Sequence, residues 1–268
     1  MLTETFQTIG SATRNVFANW RSVIITAVVY ATLLAALYVF IVVREASLFQ
    51  VGITFALAVV APLLFFLLQA LIAGETDQAP LGRLLKNAFA DFWKLLLVTL
   101  PLIALGILIL YLLHKAQTRF GTPPPDTLDV PRRVAGRAKE NPIEWRTALV
   151  SMLRYLLLGL VLPLTAIHIW LATARQGLGP ALRRLLTLLR QALAPQSVLI
   201  YIAGFVVFGV VPYFLLFRTT QVNRAWLEVF VFGVRLAVVF ALTLLGWMIT
   251  VRALGISSRI SSSSPNEA

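Results

Sequence analysis

The segment LGRLLKNAFADFW, residues 81–93, places apolar side chains at intervals of three and four positions. This period predicts an amphipathic helix, with Arg83, Lys86 and Asp91 on the side opposite to its apolar stripe. An apolar run long enough to cross a membrane begins directly after Lys94. The segment therefore predicts a helix that lies at a membrane interface and leads into a transmembrane span.

The composition of the whole chain is that of a membrane protein. Of the 268 residues, 59% are hydrophobic and only 13% are charged, whereas charged residues make up roughly 25% of soluble domains. The net charge of +12 would suggest nucleic-acid binding in a soluble protein. Here most Lys and Arg residues lie between apolar runs, where they anchor membrane helices, so we expect no nucleic-acid partner. The chain contains no cysteine, which excludes cysteine-ligated metals, and we expect no metal and no cofactor.

Six apolar runs reach the roughly 20 residues that cross a bilayer. They are residues 23–43, 51–73, 95–113, 148–172, 198–217 and 226–251. The first run is longer than a signal-peptide core and no cleavage site follows it, so we expect it to be retained. The Pro-rich loop at 114–146 is expected to be extended, and the Ser-rich tail at 257–268 is expected to be disordered. The fold class is thus all-α, with a single membrane domain over residues 1–256.

The amphipathic segment has two counterparts in the chain. The matching stretches are ATRNVFANW at 12–20, LLKNAFADF at 84–92 and LLRQALAPQ at 188–196. Each contains a basic residue, then Asn or Gln, and each precedes a span. We interpret the chain as three quasi-repeats of an amphipathic interfacial helix plus two spans, over 1–73, 80–172 and 181–251. Because each unit contains two spans, all three interfacial helices are expected on one face of the membrane.

The basic residues near these helices are expected to contact anionic lipid headgroups. They are Arg14, Arg83, Lys86, Lys94, Arg183, Arg184 and Arg190. Lys and Arg residues are divided almost equally between the two faces, but the loop at 173–197 carries arginines and no acid. Basic amphipathic helices favour the anionic cytoplasmic leaflet. We therefore expect a multi-pass protein of the cell (inner or plasma) membrane with both termini in the cytoplasm.

Two arginines lie inside predicted spans, where a charge costs about 2.5–3.5 kcal/mol on insertion scales. Arg154 follows Trp145 by nine residues, and Arg235 follows Trp226 by the same interval. If the tryptophans lie at the membrane interface, this spacing places each arginine backbone about 13 Å deep in the membrane. Alignment of the repeats sets Thr54 at a comparable depth. Together these residues predict a pocket that binds a phosphate or carboxylate. The alternative is that each arginine bonds helix carbonyls or a nearby acid, or extends toward the headgroups.

His168 lies on the same face of the fourth span as Arg154. A histidine can carry protons near neutral pH, but no second His, Asp or Glu shares its depth, so a hydrogen-bonded packing role is the alternative. The sequence has no metalloprotease, nucleophile-elbow or phosphate-loop motif. We therefore expect that the protein is not an enzyme.

Residues 71–109, LIAGETDQAPLGRLLKNAFADFWKLLLVTLPLIALGILI, resemble the membrane domain attached to some glycerophosphodiester phosphodiesterases. They also resemble related stand-alone bacterial six-span proteins. The shared pattern is a span, a short polar turn, a basic amphipathic helix with an aromatic end, and another span. The chain has no soluble phosphodiesterase domain, so the resemblance implies a membrane-domain fold without enzymatic activity.

The sequence favours a non-enzymatic membrane scaffold or accessory protein that contacts anionic lipids and unidentified membrane-protein partners. The alternative is a transporter or channel subunit for a small anionic solute, with Arg154 and Arg235 lining its pocket.

Overall fold

The computed structural model describes residues 2–43, 47–74, 81–120, 145–218 and 225–263. Within these ranges every regular element is helical. The helices are α1 (Leu2–Ala18), α2 (Trp20–Val42), α3 (Leu48–Ala73), α4 (Leu81–Phe120), α5 (Trp145–Leu156), α6 (Leu162–Gln176), α7 (Leu178–Arg183), α8 (Leu185–Ala192), α9 (Pro195–Phe205), α10 (Val211–Phe217) and α11 (Ala225–Ser263). A π-helical turn at Leu157–Val161 joins α5 to α6, and another at Val206–Val210 joins α9 to α10.

Six of the described helical segments are long and apolar enough to cross a membrane. They are Trp20–Val42, Leu48–Ala73, Lys86–Gln117, Ala148–Gln176, Pro195–Phe217 and Trp226–Arg259. Each contains all or nearly all of the corresponding predicted run, which confirms the prediction of an all-α, six-span membrane protein. We call the face that carries α1, the start of α4, α7, α8 and the end of α11 the N-terminal face. The division into three repeats stays a prediction.

The closely packed core lies in the half of the bundle nearer the N-terminal face. In α3 the buried residues lie in the second half of the helix, ending at Ala73. In span four they begin at Leu164, and in α11 the fully buried residues include Met248 and Leu254. The other half of the bundle exposes long rows of apolar side chains, which in a bilayer contact lipid tails.

A proline shapes the fourth span and its contact with the fifth. Pro163 has no N–H to donate to the carbonyl four residues earlier, which belongs to Gly159. The hydroxyl of Tyr201 in α9 donates to that Gly159 oxygen at 3.1 Å. The π turn ends two residues before this proline, and the second π turn likewise ends two residues before Pro212. Both turns therefore lie where a proline removes a helical hydrogen bond.

Small residues bring the fifth and sixth spans into close contact. A Cβ atom at Gly204 would overlap the side chain of Thr250, and one at Gly246 would lie 3.0 Å from the Cβ of Phe208. Gly204 and Phe208 are one turn apart on span five, as Gly246 and Thr250 are on span six. This is the small-residue packing that lets membrane helices approach each other.

Side-chain hydrogen bonds connect the other spans in the same half of the bundle. The Trp170 indole donates to Thr99 at 2.8 Å, and the Trp247 indole donates to Gln69 at 3.0 Å. The hydroxyls of Tyr30 and Thr243 lie 2.9 Å apart. These bonds connect span four to three, six to two, and one to six, and they satisfy polar groups that would otherwise face hydrocarbon.

The second predicted interfacial helix is continuous with the span that follows it, and its position at the membrane interface stays a prediction. Residues 81–93 form the first part of α4, which continues without a break to Phe120. No Gly or Pro stands between this segment and the span, so nothing ends the helix there. By contrast, α1 ends at Ala18 before Asn19, and Pro195 begins α9 after the extended residue Ala194.

The predicted loop and tail are both shorter than the sequence indicates. Helix α4 extends into the predicted loop as far as Phe120, and residues 121–144 lie outside the described residues. Helix α11 continues to Ser263, so the predicted disorder of 257–268 is wrong for its first part. Ser257 is buried there, and Ser258 accepts a hydrogen bond from Arg175; these tertiary contacts hold a Ser-rich sequence in a helix. Residues 264–268 lie outside the described residues.

Candidate functional site

Between spans four and five the chain forms two short helices at the N-terminal face. Gly177 adopts a positive φ of 85°, a conformation that glycine reaches without steric cost, and it ends α6 at Gln176. Arg184 interrupts the following segment between α7 and α8. Both short helices pack against α6, so the chain remains close to the end of span four before it enters span five.

The outer side of α7 and α8 combines exposed leucines with exposed arginines. The exposed leucines recur every three or four residues, at Leu182, Leu185, Leu189 and Leu193. Arg183 and Arg190 are also exposed, and Leu186 beside them is 84% exposed. This combination is typical of a helix that lies in the membrane interface, with leucines toward the hydrocarbon and arginines among the headgroups. We call it the α7–α8 surface.

A cavity of about 120 Å³ lies between the end of α6, the short helices and the end of α11. It is lined by His168, Leu171, Ala172, Arg175, Gln176, Ala181, Arg184, Thr187, Leu188, Gln191, Ser258 and Arg259. Among the described residues that line it, three are arginines and none is Asp or Glu. We call this space the basic cavity.

Arg175 is held in place at the wall of the basic cavity by α11. Its Nη1 donates to the Gly255 carbonyl oxygen at 3.2 Å and to the Ser258 hydroxyl at 3.4 Å. A Cβ atom at position 255 would lie 2.6 Å from Nη2 of this arginine. Only glycine at 255 therefore lets the guanidinium lie this close to the helix backbone.

His168 lies in the buried part of the basic cavity and bonds to two helices. Its Nδ1 lies 2.9 Å from the Leu164 carbonyl oxygen, and its Nε2 lies 3.5 Å from the Ser197 hydroxyl. Because a carbonyl oxygen only accepts, Nδ1 carries the hydrogen, and in the neutral ring Nε2 accepts from the serine. These two hydrogen bonds are what the predicted packing role of His168 requires. The predicted proton role stays a prediction.

Of the three residues of the predicted outer pocket, Arg154 lines one of the two cavities described here, and Thr54 and Arg235 line neither of these two. Arg235 donates through Nη1 to the carbonyl oxygen of Arg218, just after α10, at 2.6 Å, which is the carbonyl-bonding alternative. Thr54 donates to the Gln50 carbonyl oxygen of its own helix at 3.1 Å. Arg154 lines a separate cavity of about 250 Å³ between α4 and α5, which contains His114 but neither of the other two residues.

The remaining predicted headgroup contacts lie on different helices of the N-terminal face. Arg14 on α1 and Lys86 on α4 are exposed. Lys94 forms an ion pair with Asp91 at 2.8 Å, so it is partly committed to its own helix. The side chain of Arg83 lies outside the described residues. In the part of the chain that the structure describes, no three His, Asp or Glu side chains are grouped to hold a metal.

The sequence did not identify the basic cavity. Arg175, Ser258 and Arg259 come from segments that the sequence assigns to a loop and a tail, and only the fold brings them together. The sequence did contain one signal for this arrangement. Ser258 and Arg259 follow Gly255 by three and four positions, which places the three residues on one face if the helix of the sixth span continues beyond its predicted end.

Comparison with protein-family models, with curated proteins and with solved structures finds no match for this chain. The resemblance of residues 71–109 to phosphodiesterase membrane domains therefore stays a prediction.

Proposed function

We propose that this chain is a non-enzymatic scaffold or accessory protein of a cell membrane, with both termini in the cytoplasm. Its α7–α8 surface contacts anionic lipid headgroups. The observation that carries the proposal is the exposed row of leucines beside Arg183 and Arg190, in a loop without an acidic residue. The leucines favour burial in the bilayer interface, and the arginines favour the more anionic leaflet.

The test removes the two arginines that lie outside the basic cavity. Each Lys or Arg near an anionic surface contributes about 1 kcal/mol. The Arg183→Gln/Arg190→Gln variant should therefore lose roughly 30-fold in its preference for phosphatidylglycerol over phosphatidylcholine. Native mass spectrometry of protein from mixed nanodiscs measures this preference. The matched control is Lys115→Gln/Arg218→Gln, which removes the same charge on the opposite face; equal losses in both variants contradict the proposal.

A second candidate function, transport of a small anionic solute, has one observation in its favour. The cavity of about 250 Å³ beside Arg154 also contains His114 and Tyr155, and it lies in the half of the bundle where few apolar residues are buried. If this cavity is part of a transport path, Arg154→Gln should abolish phosphate uptake by proteoliposomes without unfolding the protein. If proteoliposomes that contain the wild-type protein take up no phosphate, the transport function is wrong for this solute.

A further inference from the structure

We propose that the basic cavity is a discrete binding site for a phosphoryl group in the form of a phosphate monoester. This inference goes beyond the proposed function, because contact of the α7–α8 surface with lipid requires only net charge. The basic cavity instead presents guanidinium, hydroxyl and amide donors from three helices around one space. The inference does not rest on lipid binding at the α7–α8 surface, and the two are tested by different residues.

One guanidinium at the basic cavity has a fixed position. Arg175 is oriented by the Gly255 carbonyl oxygen and the Ser258 hydroxyl, both on α11. A guanidinium has five N–H donors in a planar fork that matches phosphate geometry. Because the fork is already oriented, less conformational entropy is lost when an anion binds.

The basic cavity carries several positive charges. Arg175, Arg184 and Arg259 all line it, and none of the described residues that line it is acidic. A phosphate monoester carries about −1.5 to −2 charges and three acceptor oxygens at neutral pH, whereas a carboxylate carries one charge and two oxygens. The monoester therefore matches three guanidinium groups better.

The basic cavity also has enough space for a phosphoryl group and further hydrogen-bond donors. A cavity needs only about 10–15 Å³ to hold one water, so about 120 Å³ is enough for a phosphoryl group. Gln191, Thr187 and Ser258 also line the cavity, and their amide and hydroxyl groups can donate to phosphate oxygens. Both a lipid headgroup and a soluble phosphate monoester present this chemical group.

The experiment uses the full chain, with two probes that separate these sources. Glycerol 3-phosphate is titrated by calorimetry into protein in neutral detergent. Phosphatidic acid, a monoester lipid, is compared with the diester phosphatidylglycerol in phosphatidylcholine nanodiscs by native mass spectrometry. The variants are Arg259→Gln, Arg175→Gln and Gly255→Ala, the last of which moves the guanidinium of Arg175 without removing its charge. Lys115→Gln/Arg218→Gln, which removes two charges on the opposite face, is the control, and thermal unfolding verifies that each variant is folded.

We expect glycerol 3-phosphate, phosphatidic acid or both to bind, with phosphatidic acid retained over phosphatidylglycerol. Binding should weaken by at least about tenfold in Arg259→Gln, as expected for loss of a charged hydrogen bond, and should persist in the control. Binding of the soluble probe identifies a metabolite site, and binding of the lipid alone identifies a headgroup site. If neither probe binds, or folded Arg259→Gln and Gly255→Ala bind like the wild type, the proposal is wrong. If Arg175→Gln does not fold, the other two variants decide.

Discussion

Substitution of Tyr201 by Phe should destabilise the bundle through the carbonyl that Pro163 leaves without its usual donor. The tyrosine hydroxyl, 3.1 Å from the Gly159 oxygen, connects span five to span four. Tyr201 is only 5% exposed, so water does not readily replace the lost bond. The change to Phe removes one oxygen atom and keeps the aromatic ring.

The expected size of the effect follows from measured hydrogen bonds between membrane helices. These average about 0.6 kcal/mol and reach about 1.7 kcal/mol. We expect Tyr201→Phe to lie in the upper half of that range, because Pro163 offers no N–H to the same carbonyl. In a Pro163→Ala background the new backbone N–H can bond to the Gly159 oxygen. The tyrosine hydroxyl should then contribute less, which gives a measurable coupling in a double-mutant cycle.

The assay is reversible unfolding in mixed micelles with increasing dodecyl sulfate, followed by circular dichroism and tryptophan fluorescence. Tyr213→Phe is the matched control, because Tyr213 lies on the same span and is 59% exposed; its free energy of unfolding should hardly change. An equal loss from Tyr201→Phe in the wild-type and Pro163→Ala backgrounds would refute the reasoning, since the hydroxyl would then act independently of the proline.

Two further results are expected. Gly204→Leu should destabilise the protein by about 1–3 kcal/mol in the same micelle assay, because the new side chain overlaps Thr250. The control is Gly233→Leu, which has no neighbour within 4 Å of its Cβ position and should unfold like the wild type. Because the chain has no cysteine, a single introduced cysteine reports on which side of the membrane its position lies. A membrane-impermeant maleimide should label Lys115→Cys in intact cells but label Gly10→Cys only after lysis. The reverse pattern would place the termini outside the cell.

The six spans could be predicted from the sequence because their signal is local. A run such as 51–73 is apolar over the thickness of the bilayer whatever its neighbours are. The ends of helices were harder to predict, because they depend on contacts. The Ser-rich composition of residues 257–268 predicted disorder, yet the buried Ser257 and the bond between Arg175 and Ser258 hold this sequence in α11 as far as Ser263.

The functional residues were only partly predictable, because a cavity is made by segments far apart in the chain. The depth of Arg154 and Arg235 could be counted from tryptophans, but whether they meet depends on how the helices pack. The structure places Arg235 against a backbone carbonyl and Arg154 in its own cavity. Arg175 and Arg259 are 84 positions apart in the printed sequence, and no periodicity within one helix relates them.

The uneven packing of the bundle bears on the choice between binding and transport. The basic cavity adjoins the part of the core where Leu164 and Leu254 are fully buried and where tryptophan hydrogen bonds connect the spans. A site beside such closely packed helices suits binding of one ligand from one face, because alternating access requires helices to move past the site. The Arg154 cavity lies in the half with few buried residues, so movement there disturbs fewer contacts. Any transport activity should therefore depend on Arg154, while retention of a phosphate monoester should depend on Arg175 and Arg259.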